Sequence, residues 1–326
     1  MLVIRTPLRM SFVGGGTDLP SFYTKFSGAV ISTSINKFVY TTLNPSFENK
    51  ARLSYSTIED VKSLLNVQHK LVRGVAYKLN FDEHVEIHSI ADVPSSGTGL
   101  GSSSSFTVGL INAILHAKKA HVTPDKLAKL ACEIEIDLLD SPIGKQDQYA
   151  VAFGGLNKFL FLPDGKVVAQ PLLLDRQLIE RFFSKIVVFY TKRTRSAGQI
   201  LKSQNELNQT EKNQTILKRM LSLVLDFEDA LANEDYRQVG EILHESWLLK
   251  RSLTPDITYP DLDSAYEAGL KSGAYGGKLL GAGGGGFLMF IAPEDKHHKL
   301  EATLADFELQ KWSYFPYGSQ VVFNGV

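Results

Sequence analysis

The sequence predicts a two-domain α+β protein, and three observations carry that prediction. A chain of 326 residues is long for a single hydrophobic core. Its first half is strand-rich with helices inserted. Its second half opens with long helices and closes on a β-α-β pattern. The change of pattern falls between residues 170 and 185 and is drawn here as 1–178 and 179–326.

Residues 2–5 and 10–13 read as short strands around Pro7, and 29–35 and 37–43 alternate enough to be strands. Residues 58–79 look helical. Residues 84–90, His-Val-Glu-Ile-His-Ser-Ile, have the period-two pattern of a half-buried strand. Helices follow over 106–119, where Phe106, Leu110, Ile111 and Ile114 keep helical spacing, and over 124–139, where Thr123 is an N-cap before Pro124. Residues 141–148 contain Pro142 and Gly144 and read as a loop. A strand pair spans 154–162 and 166–171 around Pro163-Asp164-Gly165, and 186–190 is a buried strand. Helices are expected over 196–232, 236–253, 262–272 and 296–307, with strands at 287–291 and within 312–323.

Composition narrows the function classes. Lys+Arg and Asp+Glu both number 35, and no dense basic block marks a nucleic-acid surface. No apolar run reaches the ~20 residues of a membrane helix. The N-terminus, Met-Leu-Val-Ile-Arg-Thr-Pro, lacks the basic-then-apolar pattern of a signal peptide. The single cysteine, Cys132, lies on an apolar helix face and reads as a core residue, so a reducing, cytoplasmic setting is expected. The sequons at Asn208 and Asn213 read as accidental in that setting.

The most informative stretch is Pro94-Ser-Ser-Gly97-Thr98-Gly99-Leu100-Gly101-Ser102-Ser103-Ser104. It joins a strand to a helix, where orphan N–H groups and the helix dipole favour a phosphate. It lacks the Gly-x-x-x-x-Gly-Lys-Ser/Thr order of a P-loop. Gly281-Ala-Gly283-Gly284-Gly-Gly286 matches Gly-x-Gly-x-x-Gly but leads into a strand, so it is not a dinucleotide fingerprint. It reads either as a flexible hairpin or as a loop that approaches a ligand. His84 and His88 fall on a strand and His297-His298 on a polar helix start, so neither pair reads as a metal site. Glu133, Glu135, Asp137 and Asp140 suit a solvated helix face. Asp147 differs: it sits in a Pro/Gly loop, where a carboxylate suits acid/base or orienting work.

Three motifs stand in order: Pro7-Leu-Arg9-Met-Ser-Phe-Val-Gly-Gly15-Gly16-Thr17-Asp18, the loop at 94–104, and Lys278-Leu-Leu-Gly-Ala-Gly-Gly-Gly-Gly-Phe287. Together they resemble the GHMP (galacto-, homoserine, mevalonate and phosphomevalonate) kinases over nearly the whole chain. The resemblance implies a GHMP fold, with an N-terminal domain of the ribosomal-protein-S5 type and a ferredoxin-like C-terminal domain. It also implies ATP and Mg²⁺. Pro94, Gly97, Thr98, Gly99, Leu100, Gly101, Ser102, Ser103 and Ser104 then correspond to the ATP-phosphate loop. Ser103 and Glu135 correspond to metal contacts, Asp147 to the residue that orients or deprotonates the acceptor hydroxyl, and Arg9 to a cation on the transferring phosphoryl.

Where the galactokinases carry Gly-Glu-His-Thr-Asp, this chain has Gly14-Gly15-Gly16-Thr17-Asp18. That segment, Gly144-Lys-Gln-Asp-Gln-Tyr149 and Ser272-Gly-Ala-Tyr-Gly-Gly-Lys278 resemble the heptose 7-phosphate kinase and fucokinase branch. The expected acceptor is therefore a sugar or sugar phosphate, held by Gly15, Gly16, Thr17, Asp18, Asp147, Gly283 and Gly284. Arg193 and Arg195 are candidates for a distal phosphate, and a solvated basic loop is the other reading of them. An unphosphorylated-sugar kinase and an inactive sugar-binding protein on the same fold are the rival functions. Monomer or homodimer are both open.

Overall fold

A computed structural model describes residues 1–94, 97–194 and 197–325. The first element is β1 (Leu2–Val13), one continuous strand where two were expected. Pairing with the last strand ends at Arg5, so the N–H that Pro7 lacks is not required on that side, and the register against the neighbouring strand shifts just after it. A short helix α1 (Pro20–Phe26) leads to β2 (Gly28–Pro45), an 18-residue strand that serves β1 along its length and two further partners in succession.

The helix expected over 58–79 does not form as one unit. β3 (Ala51–Ser54) and β4 (Ile58–Val61) make a hairpin, a 3₁₀ turn spans Leu64–Asn66, and only α2 (Lys70–Lys78) is α-helical. Local side-chain bonds interrupt it: Asp82 accepts from the Leu64 N–H (2.8 Å), and Glu59 accepts from the Gln68 (2.5 Å) and His69 (3.3 Å) N–H groups.

β5 (Val85–Ala91) precedes the glycine-rich segment, and α3 (Ser102–Ala117) follows it. α3 is buried around most of its circumference against β1 and β2, which aims its N-terminus at the middle of β1. α4 (Pro124–Cys132) begins at the predicted Thr123 cap and runs into a π-helical segment, Glu133–Leu138. α5 (Gln146–Phe153) starts inside the expected loop and brings Asp147 into its first turn. β6 (Leu156–Phe161), β7 (Val167–Pro171), α6 (Arg176–Ser184) and β8 (Ile186–Tyr190) follow; α6 was missed because Leu178, Ile179 and Phe182 are its only buried residues.

The helix expected over 196–232 is two, α7 (Ala197–Leu207) and α8 (Glu211–Ala232). Thr210 ends one and caps the other, donating to Leu207 O (2.8 Å) and accepting from Asn213 N (3.3 Å). Then come α9 (Tyr236–Arg251), α10 (Pro260–Lys271), β9 (Gly276–Leu279), β10 (Phe287–Ile291), α11 (His297–Thr303), β11 (Glu308–Gln310) and β12 (Gln320–Asn324).

The strands form two sheets. One has the order β12-β1-β2-β5-β3-β4 with β6 and β7 attached through β2; the other is β11-β8-β10-β9, antiparallel throughout. Numbered within the second unit that order is 4-1-3-2, with helices between its first and second and its third and fourth strands: a ferredoxin-like sheet. The chain does not divide into two contiguous pieces at 178/179, because β12 returns to pair with β1 in the first sheet.

Phe12 on β1 joins the two halves, its ring 5.3 Å from both Phe182 of α6 and Phe227 of α8. All three rings are fully buried. Phe12→Ala is expected to cost about 3–5 kcal/mol, measured by urea unfolding. A loss below about 1 kcal/mol would show that these rings do not hold the halves together.

Candidate active site

Arg9, carried mid-strand on β1, is 3% exposed and sits beneath the glycine-rich segment. Its backbone N–H donates to Leu100 O (3.0 Å), and Nη1 donates to Gly99 O (2.5 Å). Nε and Nη2 donate to Asp147 Oδ1 (2.7 Å) and Oδ2 (2.8 Å). One guanidinium thus fixes both the segment that follows β5 and the carboxylate that opens α5, in the bidentate geometry that only Arg supplies.

Gly97, Gly99 and Gly101 have φ near +70°, +75° and +72°, while Thr98 and Leu100 between them keep negative φ. This alternation curls successive N–H groups towards one side and makes an anion-binding concavity at the start of α3. Gly97, Thr98, Gly99, Gly101, Ser102, Ser103 and Ser104 all line one cavity of about 1040 Å³. Two expected members of the loop do not. The Leu100 side chain is fully buried in the core, and Pro94 is exposed and off the cavity wall.

The other glycine cluster docks on this one. A Cβ on Gly99 would lie 2.3 Å from Leu280 O, one on Gly281 2.3 Å from the Gly99 Cα, and one on Gly286 2.3 Å from Thr98 O. These glycines exist so that two backbones can touch. Gly281 and Ala282 reach the cavity, whereas Gly283 and Gly284 pack on Ile257, whose carbonyl accepts the Gly284 N–H (2.9 Å). The substrate contact expected of Gly283 and Gly284 is therefore replaced by a packing role.

Glu135 is 1% exposed, not solvated as its neighbours suggested. The π-helical segment turns Ile134 and Glu135 inward together. Its carboxylate accepts from Ser104 Oγ (2.8 Å), Thr107 Oγ1 (2.8 Å) and Gln148 Nε2 (2.5 Å), with Ser103 Oγ at 3.5 Å. Burial raises its pKa, opposed by those hydrogen bonds. A buried carboxylate beside helix-start hydroxyls is a hard-oxygen donor set of the kind Mg²⁺ uses with one or two carboxylates, phosphates and water. No cluster of three or more acidic, His or Cys ligands occurs among the described residues, so phosphate oxygens would have to complete such a shell.

Asp18 is 2% exposed and lines the cavity. It accepts from Gly16 N (2.9 Å) and Gln146 N (3.3 Å), and burial, then the nearby Asp147 charge, raises its pKa. Gly144 is required here because its Cβ would fall 1.9 Å from Asp18 Oδ2. Gly15 and Gly16 line the same wall, but Thr17 does not. Its hydroxyl donates within reach of Gly14 O (2.8 Å) and Ala29 O (2.9 Å) and accepts from Ala29 N, which fastens the loop to β2. Arg193 also leaves the site: its half-exposed guanidinium pairs with Asp261 at 2.6 Å. Arg195 lies outside the described residues.

Several cavity residues escaped the sequence reading. Gln204 of α7 is 1% exposed, and its Nε2 has no hydrogen-bond partner among the described residues. Lys250 of α9 and Lys278 of β9 are buried cavity-lining cations, the first bonded to Gly281 O and the second to Phe12 O (2.6 Å). Elsewhere the cavity is walled by Val39, Tyr55, His69, Leu71, Ala91 and Phe106, with the His69 ring 4.7 Å from Tyr55 and 5.3 Å from Phe106. The cavity therefore offers an anion-binding rim, a carboxylate-rich wall and an apolar-aromatic wall, with volume for more than one small ligand.

Comparison with known proteins finds likenesses over most of the chain. The GHMP kinases N terminal domain profile fits residues 66–155, and the GHMP kinases C terminal profile fits residues 227–307. The chain is 30% identical over 316 residues to a D-glycero-alpha-D-manno-heptose 7-phosphate kinase of Campylobacter jejuni, covering 92% of each chain. It is 26% identical to a galactokinase of Pyrococcus furiosus, covering 96% of this chain and 95% of the relative. A crystal structure of a D-glycero-D-manno-heptose 1-phosphate kinase from Bacteroides thetaiotaomicron superposes over the full length of both chains with a TM-score of 0.83 at 22% identity.

Gly281→Ala places a methyl group against the Gly99 backbone at a φ of +77°. The expected result is about 1–3 kcal/mol of lost stability together with weaker ATP binding, read by thermal unfolding and titration calorimetry. Unchanged ATP affinity would separate the second glycine cluster from the phosphate loop.

Proposed function

The chain belongs to the GHMP kinases, and on that premise we propose that it phosphorylates the anomeric hydroxyl of D-glycero-D-manno-heptose 7-phosphate, giving the 1,7-bisphosphate for a nucleotide-activated heptose. It is an ATP-dependent kinase of the sugar-kinase type within that family. The observation that carries the site assignment is the Arg9 clamp, which holds Asp147 and the carbonyl of Gly99 in one fixed geometry.

In this reading the triphosphate lies on Gly97–Ser104, with the adenine against Tyr55, His69 and Phe106. The sugar lies along Gly15, Gly16 and Asp18 with its reacting hydroxyl at Asp147. The acceptor oxygen forms a bond to the γ-phosphorus as the bond from that phosphorus to the β–γ bridging oxygen breaks. ADP leaves with the electron pair, and the hydroxyl proton passes to the Asp147 carboxylate. Such transfer depends chiefly on positioning and charge stabilisation, which suits a carboxylate fixed by two hydrogen bonds. Asp18 and Gln204 place buried polar groups towards the sugar hydroxyls, a source of discrimination between sugars. Ser103 and Glu135 would hold Mg²⁺, which when bound neutralises charge on the phosphate oxygens.

A kinase of an unphosphorylated sugar is the second reading, and the Arg193–Asp261 pair favours it by occupying one expected phosphate ligand. Phosphate transfer measured with heptose 7-phosphate and with free heptose, fucose and galactose decides between them. For the proposed substrate, turnover with heptose 7-phosphate is expected to exceed that with free heptose by at least about tenfold. Equal use of free heptose would overturn the 7-phosphate assignment.

Asp147→Asn is expected to lower kcat by about 10²–10⁴-fold while ATP affinity, read by calorimetry, is retained. Full turnover in that variant would remove Asp147 from the reaction.

A further inference from the structure

Arg9 is not free to receive the transferring charge. Of the five N–H donors on a guanidinium, three are already engaged by Asp147 and Gly99. Its positive charge is also matched by the Asp147 carboxylate at 2.7 Å. Mg²⁺ at Ser103 and Glu135 would take up part of the charge that a transferring phosphoryl group spreads over three oxygens, and a protein cation aimed at those oxygens would take up more.

Lys250 fits that role. It occupies the last turn of α9 on the buried face with Leu243, Ser246 and Trp247, is 7% exposed, and lines the cavity. Among the described residues no carboxylate pairs with it. Among the described residues its one hydrogen bond goes to Gly281 O. An ammonium has three donors, so two are left for a ligand. Gly281 is the residue whose backbone touches Gly99, and Gly99 O is the acceptor of Arg9 Nη1. Lys250 therefore stands at the seam of the two glycine clusters, beside the phosphate loop. Lys278, the neighbouring buried lysine, is turned to Phe12 O on β1 instead.

Resting on the kinase reading above, we infer that Lys250 is a catalytic residue whose ammonium holds the γ-phosphoryl oxygens while the phosphorus passes from ADP to the acceptor oxygen. The proton still goes to Asp147 and the leaving electron pair to ADP; Lys250 neither gives nor takes a proton in the step. A buried cation without a counter-ion is costly until an anion arrives, so its pairing is strongest when the triphosphate and its transition state occupy the seam.

The charged and titratable groups facing Lys250 are Arg9, Lys278, Asp18 and Asp147. Burial first, and then Arg9, push its pKa down to about 8, against the pull of Asp18 and Asp147; Lys278 lies below its usual range partly through the Lys250 charge. The free enzyme thus loses the Lys250 charge as pH rises through about 8, and kcat/KM falls over that limb. A guanidinium at the same position stays charged.

The test is steady-state phosphate transfer from ATP to the accepted sugar, followed across pH 6–10 for wild type, Lys250→Met and Lys250→Arg, with unfolding midpoints alongside. Lys250→Met is expected to lose about 100-fold or more in kcat with its midpoint unchanged or raised, because it removes a buried unpaired charge. Lys250→Arg is expected to retain part of the activity and to lack the alkaline limb. Wild-type-like kcat in Lys250→Met overturns the inference while leaving the kinase reading standing. So does a change confined to the KM of the sugar. If Lys250→Met fails to fold, an alkaline limb in Lys250→Arg matching the wild type overturns it. No transfer by the wild type to any sugar overturns the kinase reading and this inference with it.

Discussion

The bidentate ion pair between Arg9 and Asp147 is the interaction on which the rest of the site depends. It ties β1 of the first sheet to the first turn of α5, while the remaining guanidinium nitrogen reaches Gly99. The glycine-rich segment and the Asp147 carboxylate are thereby positioned from one side chain. A partly buried pair of this kind contributes little net stability, because desolvation offsets attraction, but breaking it leaves the buried Arg9 charge uncompensated. Its value here is geometric. In the proposed reaction the arrangement would hold the triphosphate site and the Asp147 carboxylate in register before either ligand arrives.

The second constraint is contact between backbones. Gly99 meets Leu280 and Gly281, and Gly286 meets Thr98, at distances no side chain would permit. The ferredoxin-like sheet thus presses a glycine hairpin onto the phosphate loop, and α9 delivers Lys250 to the seam. The return of β12 to β1 closes the chain on itself from the opposite end. One cavity is walled by both halves of the chain.

Much of this was legible in the sequence because backbone demands leave strong marks. Alternating glycines between a strand and a helix, a capping Thr123 before Pro124, and the apolar run at 186–190 each specify their own geometry. Asp147 stood out because a carboxylate in a Pro/Gly loop has no solvated-helix explanation. The errors have physical sources. Residues 58–79 carry apolar spacing that suits a helix, but the Glu59 and Asp82 side chains take the Leu64, Gln68 and His69 N–H groups that an unbroken helix would bond to its own carbonyls. Glu135 resembled its solvated neighbours because a π-helical shift leaves no compositional trace. Arg193 had the right chemistry for phosphate, but Asp261, far off in sequence, already holds it. Lys250 did leave a signal: a lysine on the face shared by Leu243 and Trp247, where helical spacing calls for an apolar residue.

We propose that this cavity directs phosphoryl transfer from ATP to the anomeric oxygen of a phosphorylated heptose. Phosphorus and proton NMR of the product formed from ATP and D-glycero-D-manno-heptose 7-phosphate tests it most directly. The account predicts a second phosphorus signal coupled to the anomeric proton, with the 7-phosphate unchanged. A new phosphate on any other carbon, or ADP formed without a phosphorylated sugar, would contradict it.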